Sequence, residues 1–460
     1  MRRWDAQQVA RAAGARLLRG SVPGVDGPLQ TTIDSRKAGP GTLFVGLPGE
    51  HVDGGSFAAA ALAAGAWGVL VGPDHAGGSV PGDDSLPGDG SLPGNGAVLV
   101  ADDPLQALQQ LATAWRAQLG AKVIGVTGST GKTSTKDLLH GVLSPYRLTV
   151  ASRANFNTEI GLPLEILAAP AGTEVLVLEM GMRGPGQIAE LVRIAAPDVG
   201  VIVSVGPVHL ELLGSIEAVA AAKAELIAGL APGATAIVPA GKGLLDPHLR
   251  QDLMTITFGP GGDVQLVSAS DTRVEIDAQG QRISLEVDFT QPHLRHDLLA
   301  AVAAARAVGV QPGGRLELAL SPGRGQRRIL PGGIALIDDA YNANPVSMRA
   351  ALGALAATET SGRRVAVLGD MLELGPDAQR YHREIGAPAN DTVDLLVTVG
   401  PLAAVMAADF RGEHHHAADA EAAARLVPTL LRSGDVVLVK ASNGVGLKLV
   451  CDTLTAVTIA

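Results

Sequence analysis

From residue 122 onward the chain alternates short unbroken apolar runs with stretches of helical spacing. The runs are AKVIGV, EVLVLEM, VGVIVSV and ATAIV. Apolar runs without polar alternation predict strands buried on both faces, and the helical stretches between them predict crossover helices of a parallel sheet. Between 263 and 289 three short alternating segments, broken by Asp-Ala-Gln-Gly, predict an antiparallel meander appended to that sheet. After Gly323 the alternation resumes with IALID, RRVAVLG, DLLVTVG and VVLVK, which predicts a Rossmann-like C-terminal domain.

Ahead of residue 122 the runs at 42–47, 68–71 and 97–100 read as strands of a small α/β domain, with Trp115 on the helix that leaves it. The opening MRRWDAQQVARAAGARLL reads as a short alanine-rich helix. Residues 79–96, SVPGDDSLPGDGSLPGNG, form a Pro-Gly-Asp tract that cannot build a core and reads as a surface insertion. The expected fold class is therefore α/β, in three domains. A small N-terminal α/β domain spans 1–118. A central parallel-sheet domain with an antiparallel appendage spans 119–321, and the Rossmann-like domain spans 322–460.

Composition narrows the function classes. With 47% apolar and 18% charged residues the chain suits a globular protein, and a formal net charge of −10 argues against general nucleic-acid binding. Anionic ligands must then be held by local sites. One cysteine, Cys451, can form no internal disulfide. No signal-type apolar stretch opens the chain, and no run of about 18 apolar residues suggests a membrane span. A cytoplasmic monomer is expected.

The strongest chemical signal is Thr127-Gly128-Ser129-Thr130-Gly131-Lys132-Thr133, placed between a predicted strand and a predicted helix, so the central domain 119–321 is expected to be a P-loop parallel-sheet ATPase domain. Backbone amides at the helix start would face a phosphate, Lys132 would add charge, and the Thr133 hydroxyl could ligate Mg²⁺. The spacing departs from the strict loop, because glycines stand three and six positions before Gly131. Glu179 and His209 fall at or just beyond the ends of neighbouring predicted strands, where open parallel sheets bind ligands. Glu179 could hold Mg²⁺, whereas a lone histidine such as His209 is as readily a turn or core residue.

Lys223 is stranger. Ile216, Ala220, Lys223 and Ile227 share one helical face, so a cation sits on an apolar stripe. On periodicity alone the favoured reading is a lysine that buries its stem and sends its ammonium to water. The sharper reading is a desolvated lysine with a lowered pKa.

Taken in order, TGSTGKTSTKD, NFNTEIGLP, EMGMRGPGQI, HLELLGS with AKAEL, DDAYNANPVSM and GDMLELG resemble the Mur ligases over nearly the whole chain. IDSRKAGPGTLFVGLPGEHVDGGSF is similar to the uridine-nucleotide domain of that family. NFNTEIG, EMGM and DAYNANP resemble the branch that adds a terminal dipeptide. The resemblance implies ATP and Mg²⁺ as cofactors, and UDP-N-acetylmuramoyl-tripeptide and D-alanyl-D-alanine as substrates, joined through an acyl phosphate. It implies phosphate and metal contacts from Lys132 and Thr133, metal ligation by Glu179 and His209, and a carbamate on Lys223. It further implies acceptor contacts from Asn157 and Thr158 and a uridine-end role for Asp34, Ser35 and Arg36. Arg324, Asp339, Tyr341 and Asn344 match positions that close over ATP or the acyl phosphate.

Two segments depart from the family. The usual His-Asn-x-x-Asn near the adenine reads His296-Asp297-Leu298-Leu299-Ala300, and an ionised Asp297 can only accept where an amide both donates and accepts. The Lys-Gly-Ser-Arg run reads Lys440-Ala441-Ser442-Asn443, which removes a bidentate guanidinium clamp. His414-His415-His416 matches nothing in the family and reads as a solvated loop. Competing readings are a diamino-acid-adding sister ligase, a folylpolyglutamate-synthase-like ligase, and a nucleotide switch or transport ATPase.

Overall fold

The computed structural model describes residues 1, 3–20, 27–77, 92, 94–153, 155–241 and 243–456, so most of the Pro-Gly-Asp tract (79–91 and 93) lies outside the described residues. Its strands gather into three sheets, built by successive stretches of chain. The first contains β1 (Arg16–Arg19), β2 (Gln30–Thr32), β3 (Thr42–Val45), β4 (Gly68–Val71) and β5 (Ala97–Val100), in the order β1-β5-β4-β3-β2. Only β1 runs antiparallel. The opening segment differs from the single helix expected. The helix covers Ala6–Ala12, Gly14 at φ 62° breaks it, and Arg16–Arg19 becomes an edge strand whose residues alternate between exposed and half-buried.

Helix Pro104–Leu119 joins this sheet to the next. Asp103 caps its start by accepting from Leu105 N and Gln106 N, proline occupies the first turn, and Gly120 at φ 63° ends it. Trp115 on this helix packs edge-on against Trp4 with centroids 5.4 Å apart, and its indole N–H donates to Ala169 O at 3.1 Å. One apolar cluster therefore runs from Val9 and Leu43 through Trp115 to Val123 and Leu176.

The second sheet holds β6 (Lys122–Thr127), β7 (Thr149–Ala151), β8 (Val175–Glu179), β9 (Val199–Ile202) and β10 (Thr235–Pro239). It continues through β11 (Met254–Phe258), β12 (Val264–Ala269), β13 (Arg273–Ala278), β14 (Gln281–Glu286) and β15 (Gly314–Arg315). The order is β15-β14-β13-β12-β11-β10-β9-β6-β8-β7, with β12 to β14 forming the antiparallel meander. β6 lies between β8 and β9, so the chain reverses direction across the sheet there and the carboxyl ends of three strands open into one crevice. Two helices cover that region, Lys132–Leu143 and Pro292–Ala307. Ala300 to Ala305 on the second are fully buried, and side chains this small let the helices approach closely.

The third sheet contains β16 (Gln326–Leu330), β17 (Ile334–Asp338), β18 (Arg364–Gly369), β19 (Leu395–Val399), β20 (Glu413–Ala417) and β21 (Val436–Lys440). Its order is β16-β17-β21-β18-β19-β20, parallel except for β16. β20 corrects the loop expected for His414-His415-His416. Its backbone completes a parallel ladder with β19, pairing His414 with Leu396 and His416 with Thr398. An edge strand facing water needs no apolar alternation, so its composition hid it.

The sheet domains are tied at their joint. Lys136 and Asp137, both on the helix Lys132–Leu143 and both buried, pair at 2.8 Å. Asp137 also accepts from Ser321 N at 2.7 Å and Ser321 Oγ at 3.0 Å, fixing the chain where it leaves the second sheet.

Candidate active site

The site begins at the turn after β6. Gly131 has φ 81°, and a side chain there would also meet the Asp297 carboxyl and Val203, so only glycine fits. The helix that follows has no side-chain cap, which leaves its first amides free to face an anion. Neighbouring amides of the loop are already committed: Ser129 N donates to Ser204 O and Thr130 N to Ser204 Oγ, both at 2.9 Å. Lys132 folds its ammonium onto Gly128 O at 2.8 Å, and burial lowers its pKa, with Glu179 opposing and Arg324 reinforcing that shift.

Glu179 ends β8 facing this helix. Its carboxylate accepts from Thr133 Oγ1 at 2.9 Å and from Asn157 Nδ2 at 2.8 Å. Asn157 is thus directed at Glu179, and Thr158 Oγ1 accepts from Gly161 N at 3.3 Å at the start of the next helix. Among the described residues, no three His, Cys, Asp or Glu side chains form a closed metal cage. A hydroxyl and a carboxylate beside a phosphate loop are nevertheless hard oxygen donors of the kind Mg²⁺ uses together with phosphates and water.

His209 takes a left-handed conformation, φ 53°, ahead of the short helix Leu210–Leu213. Its Nδ1 meets Glu373 of the third domain in a close hydrogen-bond contact, and Arg183 stands 3.8 Å from the same carboxylate. Burial holds the imidazole below its ordinary pKa, although Glu373 pulls the other way. Lys223 is 2% exposed on helix Ile216–Ala228. The snorkelling expectation therefore fails: the side chain is buried, makes no hydrogen bond or ion pair among the described residues, and has a pKa well below the usual lysine value. Desolvation is the main cause and Lys132 adds to it.

The third domain closes the cleft. Arg324 lies over the Tyr341 ring at 4.1 Å, and its buried Nε has no hydrogen-bond partner among the described residues. Asp339 pairs with Lys440 at 2.6 Å, and Lys440 also donates to Asn342 O at 2.9 Å. Asn344 caps the helix Pro345–Ala356 and reaches Ser129 O at 3.4 Å, so a residue with a local capping role also touches the phosphate loop. Ser129 to Thr133, Asp297, Arg324, Asp339 and Asn344 all line one cavity between the second and third domains.

Other expected residues lie elsewhere. His296 packs against Phe258 with centroids 5.1 Å apart and does not line that cavity. Asp34, Ser35 and Arg36 form a turn at the edge of the first sheet, where Arg36 makes a two-toothed contact with Asp34 at 2.8 and 3.0 Å. Lys440 and Glu373 sat in quoted motifs but were given no role. A lysine ending an apolar strand was a usable signal for Lys440, whereas the Glu373 contact spans 164 residues and has no local signature.

An uncapped phosphate-loop helix, with a carboxylate at the adjacent strand end and a third domain over both, defines a nucleotide-dependent enzyme of three α/β modules. The chain matches the Mur ligase family, catalytic domain over residues 30–116. It also matches the Mur ligase middle domain over 126–305 and the Mur ligase glutamate ligase domain over 323–443. It belongs to the Mur ligase family and is an ATP-dependent ligase.

Within the family its similarity points to one member. It is 37% identical to the UDP-N-acetylmuramoyl-tripeptide--D-alanyl-D-alanine ligase of Bacillus subtilis, over 90% of each chain. It is 38% identical to that of Mycobacterium tuberculosis, over 92% of this chain and 91% of the other. MurF from Acinetobacter baumannii superposes with a TM-score of 0.82 at 28% identity, over 98% of each chain. The Thermotoga maritima MurF ligase in complex with ADP gives 0.77 at 29% identity, over 93% of this chain and 97% of the other.

Proposed function

We infer that this chain joins D-alanyl-D-alanine to UDP-N-acetylmuramoyl-tripeptide with ATP, in peptidoglycan precursor synthesis. The observation that carries the nucleotide half is the uncapped helix start at Lys132 beside the Thr133–Glu179 pair. The relatives named above support the two substrates. Residues 1–118 would hold the uridine end through Asp34, Ser35 and Arg36, 119–321 the ATP, and 322–460 the amine. The enzyme is proposed to act as a cytoplasmic monomer; among the described residues no helix is long and apolar enough to cross a membrane.

The tripeptide's terminal carboxylate attacks the γ-phosphorus of ATP, and ADP departs. The amine of the dipeptide adds to the resulting acyl phosphate, loses a proton, and the tetrahedral intermediate expels inorganic phosphate to leave the amide. Such chemistry rests on positioning and charge neutralisation. Lys132 and the amides after Gly131 receive the terminal phosphates. Arg324, held over Tyr341, presents a guanidinium whose Nε is unpaired among the described residues, suited to charge developing on the transferred group. Asn157 and Thr158 would contact the acceptor, and closure by the third domain would exclude water from the acyl phosphate.

Thr133 and Glu179 would hold Mg²⁺, with His209 and a Lys223 carbamate holding a second ion; the metal would neutralise charge on the phosphates. Carbamate formation requires a neutral amine, which adds to carbon dioxide with loss of one proton and yields an anion. A desolvated Lys223 without a partner among the described residues meets that requirement. The test is phosphate release. It should require ATP, Mg²⁺, the nucleotide tripeptide and D-Ala-D-Ala together, with the pentapeptide product seen by mass spectrometry. Full-rate ATP hydrolysis without the amine would overturn the ligase reading.

A further inference from the structure

Among the described residues, the Asp297 carboxyl is the one acid in the cavity wall without a counter-charge. It is 5% exposed, lines the cavity, and makes no hydrogen bond or ion pair among the described residues. A side-chain carbon built on Gly131 would stand only 2.6 and 3.0 Å from its two oxygens, so the carboxyl rests directly on the phosphate loop. The cause is the alanine face of helix Pro292–Ala307: fully buried Ala300, Ala301 and Ala304 bring that helix down onto its neighbour and carry Asp297 with it. Ala300, one turn on, offers only a methyl group, and Leu294 and Val203 complete an apolar surround.

An ionised carboxylate there would be disfavoured twice, by loss of water and by the polyphosphate arriving beside it. The neutral acid suffers neither penalty, and it has one O–H to donate and one carbonyl oxygen to accept, the same pair of functions an amide offers. We propose that Asp297 is a nucleotide-binding residue that acts as the neutral carboxylic acid, donating its proton in a hydrogen bond to the bound nucleotide. This rests on the cavity being the ATP site. Burial pushes the Asp297 pKa well above the usual carboxylate range, and no neighbouring cation offsets it.

Other charged groups surround the same cleft. Lys132 reaches into it from the phosphate loop, His293 from one turn earlier on the same helix, and Arg324, Asp339 and Lys440 from the third domain. Burial lowers the His293 pKa, with Asp339 opposing and Lys440 reinforcing that shift. Their titration is shared by any Asp297 variant, so a comparison with Asp297→Asn isolates the carboxyl. Linkage fixes the sign: if the complex needs the acid form, raising the pH ionises free Asp297 and weakens binding by up to about tenfold per pH unit above its pKa.

The experiment is calorimetric titration with ADP, with and without Mg²⁺, for the full chain and for Asp297→Asn and Asp297→Ala, between pH 6 and 9.5. The parent should lose affinity relative to Asp297→Asn as the pH rises, while Asp297→Ala binds at least about tenfold more weakly than Asp297→Asn throughout, for want of the hydrogen bond. Infrared difference spectra on adding ADP should show a protonated carboxyl band that Asp297→Asn lacks. A parent-to-Asn affinity ratio constant with pH, together with no such band, would overturn the proposal. So would an Asn variant crippled only when Mg²⁺ is present, which would make Asp297 an ionised metal ligand. Failure of the parent itself to bind ADP would instead sink the nucleotide-site reading.

Discussion

The Thr133 hydroxyl donates to Glu179 Oε2 across 2.9 Å, joining the first turn of the phosphate-loop helix to the end of β8. Asn157 holds the other carboxylate oxygen at 2.8 Å, so the acid is oriented before any ligand arrives. An oxygen pair fixed in this way needs little reorganisation to receive a cation bridging to phosphate.

Glu179→Ala should therefore remove the effect of Mg²⁺ on nucleotide affinity and lower turnover by at least about a hundredfold, the scale expected for losing one preorganised charge contact. ADP titrations with and without Mg²⁺ read the first effect and steady-state phosphate release the second. Unchanged Mg²⁺ dependence in the variant would place the metal elsewhere.

Lys132→Ala removes the only lysine of the loop. Turnover should fall by at least about a hundredfold, or about 2.7 kcal/mol of barrier. Its contact with Gly128 O shows the side chain folded over the loop, so truncation should leave the turn intact. A variant within threefold of the parent would mean the phosphates lie elsewhere.

Much of this was legible in the sequence because the central strands are buried on both faces. β8 and β9 are buried at every position, and an unbroken apolar run has few other meanings. Most of the strands that escaped lie at sheet edges; β11, between β10 and β12, escaped as well because only two of its five positions are buried. β1, β2, β16 and β20 face water on at least one side, and packing imposes little pattern on them. At the site, Lys132, Thr133 and Glu179 were legible because a loop and strand ends place them locally. Glu373 on His209 was not, because domain docking brings them together. Lys223 stood out as a cation on an apolar stripe, but only the packed helix shows that its ammonium is not sent to water.

His382 should make the third domain sensitive to acid. The fully buried ring accepts from Met371 N through Nε2 at 2.8 Å and contacts Ala378 O through Nδ1 at 2.7 Å, so the neutral tautomer with its proton on Nδ1 is required. Burial lowers its pKa, although Ala378 O and Asp370 favour the charged form. A histidine lowered in the folded state binds protons more readily when unfolded. Its contribution is full above the unfolded value of about 6.5 and is lost as the pH falls through the lower folded value. Because Met371 is two residues before Glu373, protonation should also loosen the loop that meets His209. Denaturation midpoints between pH 5 and 8 should fall on the acid side, and less steeply in His382→Asn. Equal slopes would remove His382 as the cause.

Lys223 offers the sharpest test of the site. A buried ammonium without an anion is costly, and in metal-binding range it would repel Mg²⁺ by several kcal/mol at an effective dielectric of about 20. Converting the amine to a carbamate removes the buried cation and supplies oxygen ligands of the charge a second ion needs. Lys223→Ala should nearly abolish ligation yet keep the fold, because alanine favours the helix Ile216–Ala228 and leaves no unpaired charge. Acetate or formate should restore part of the activity by filling the vacated ligand position, and ¹³C-bicarbonate should give the parent protein a carbamate resonance that the variant lacks. Near-normal ligation by the variant without added acid would show that the buried amine serves packing alone.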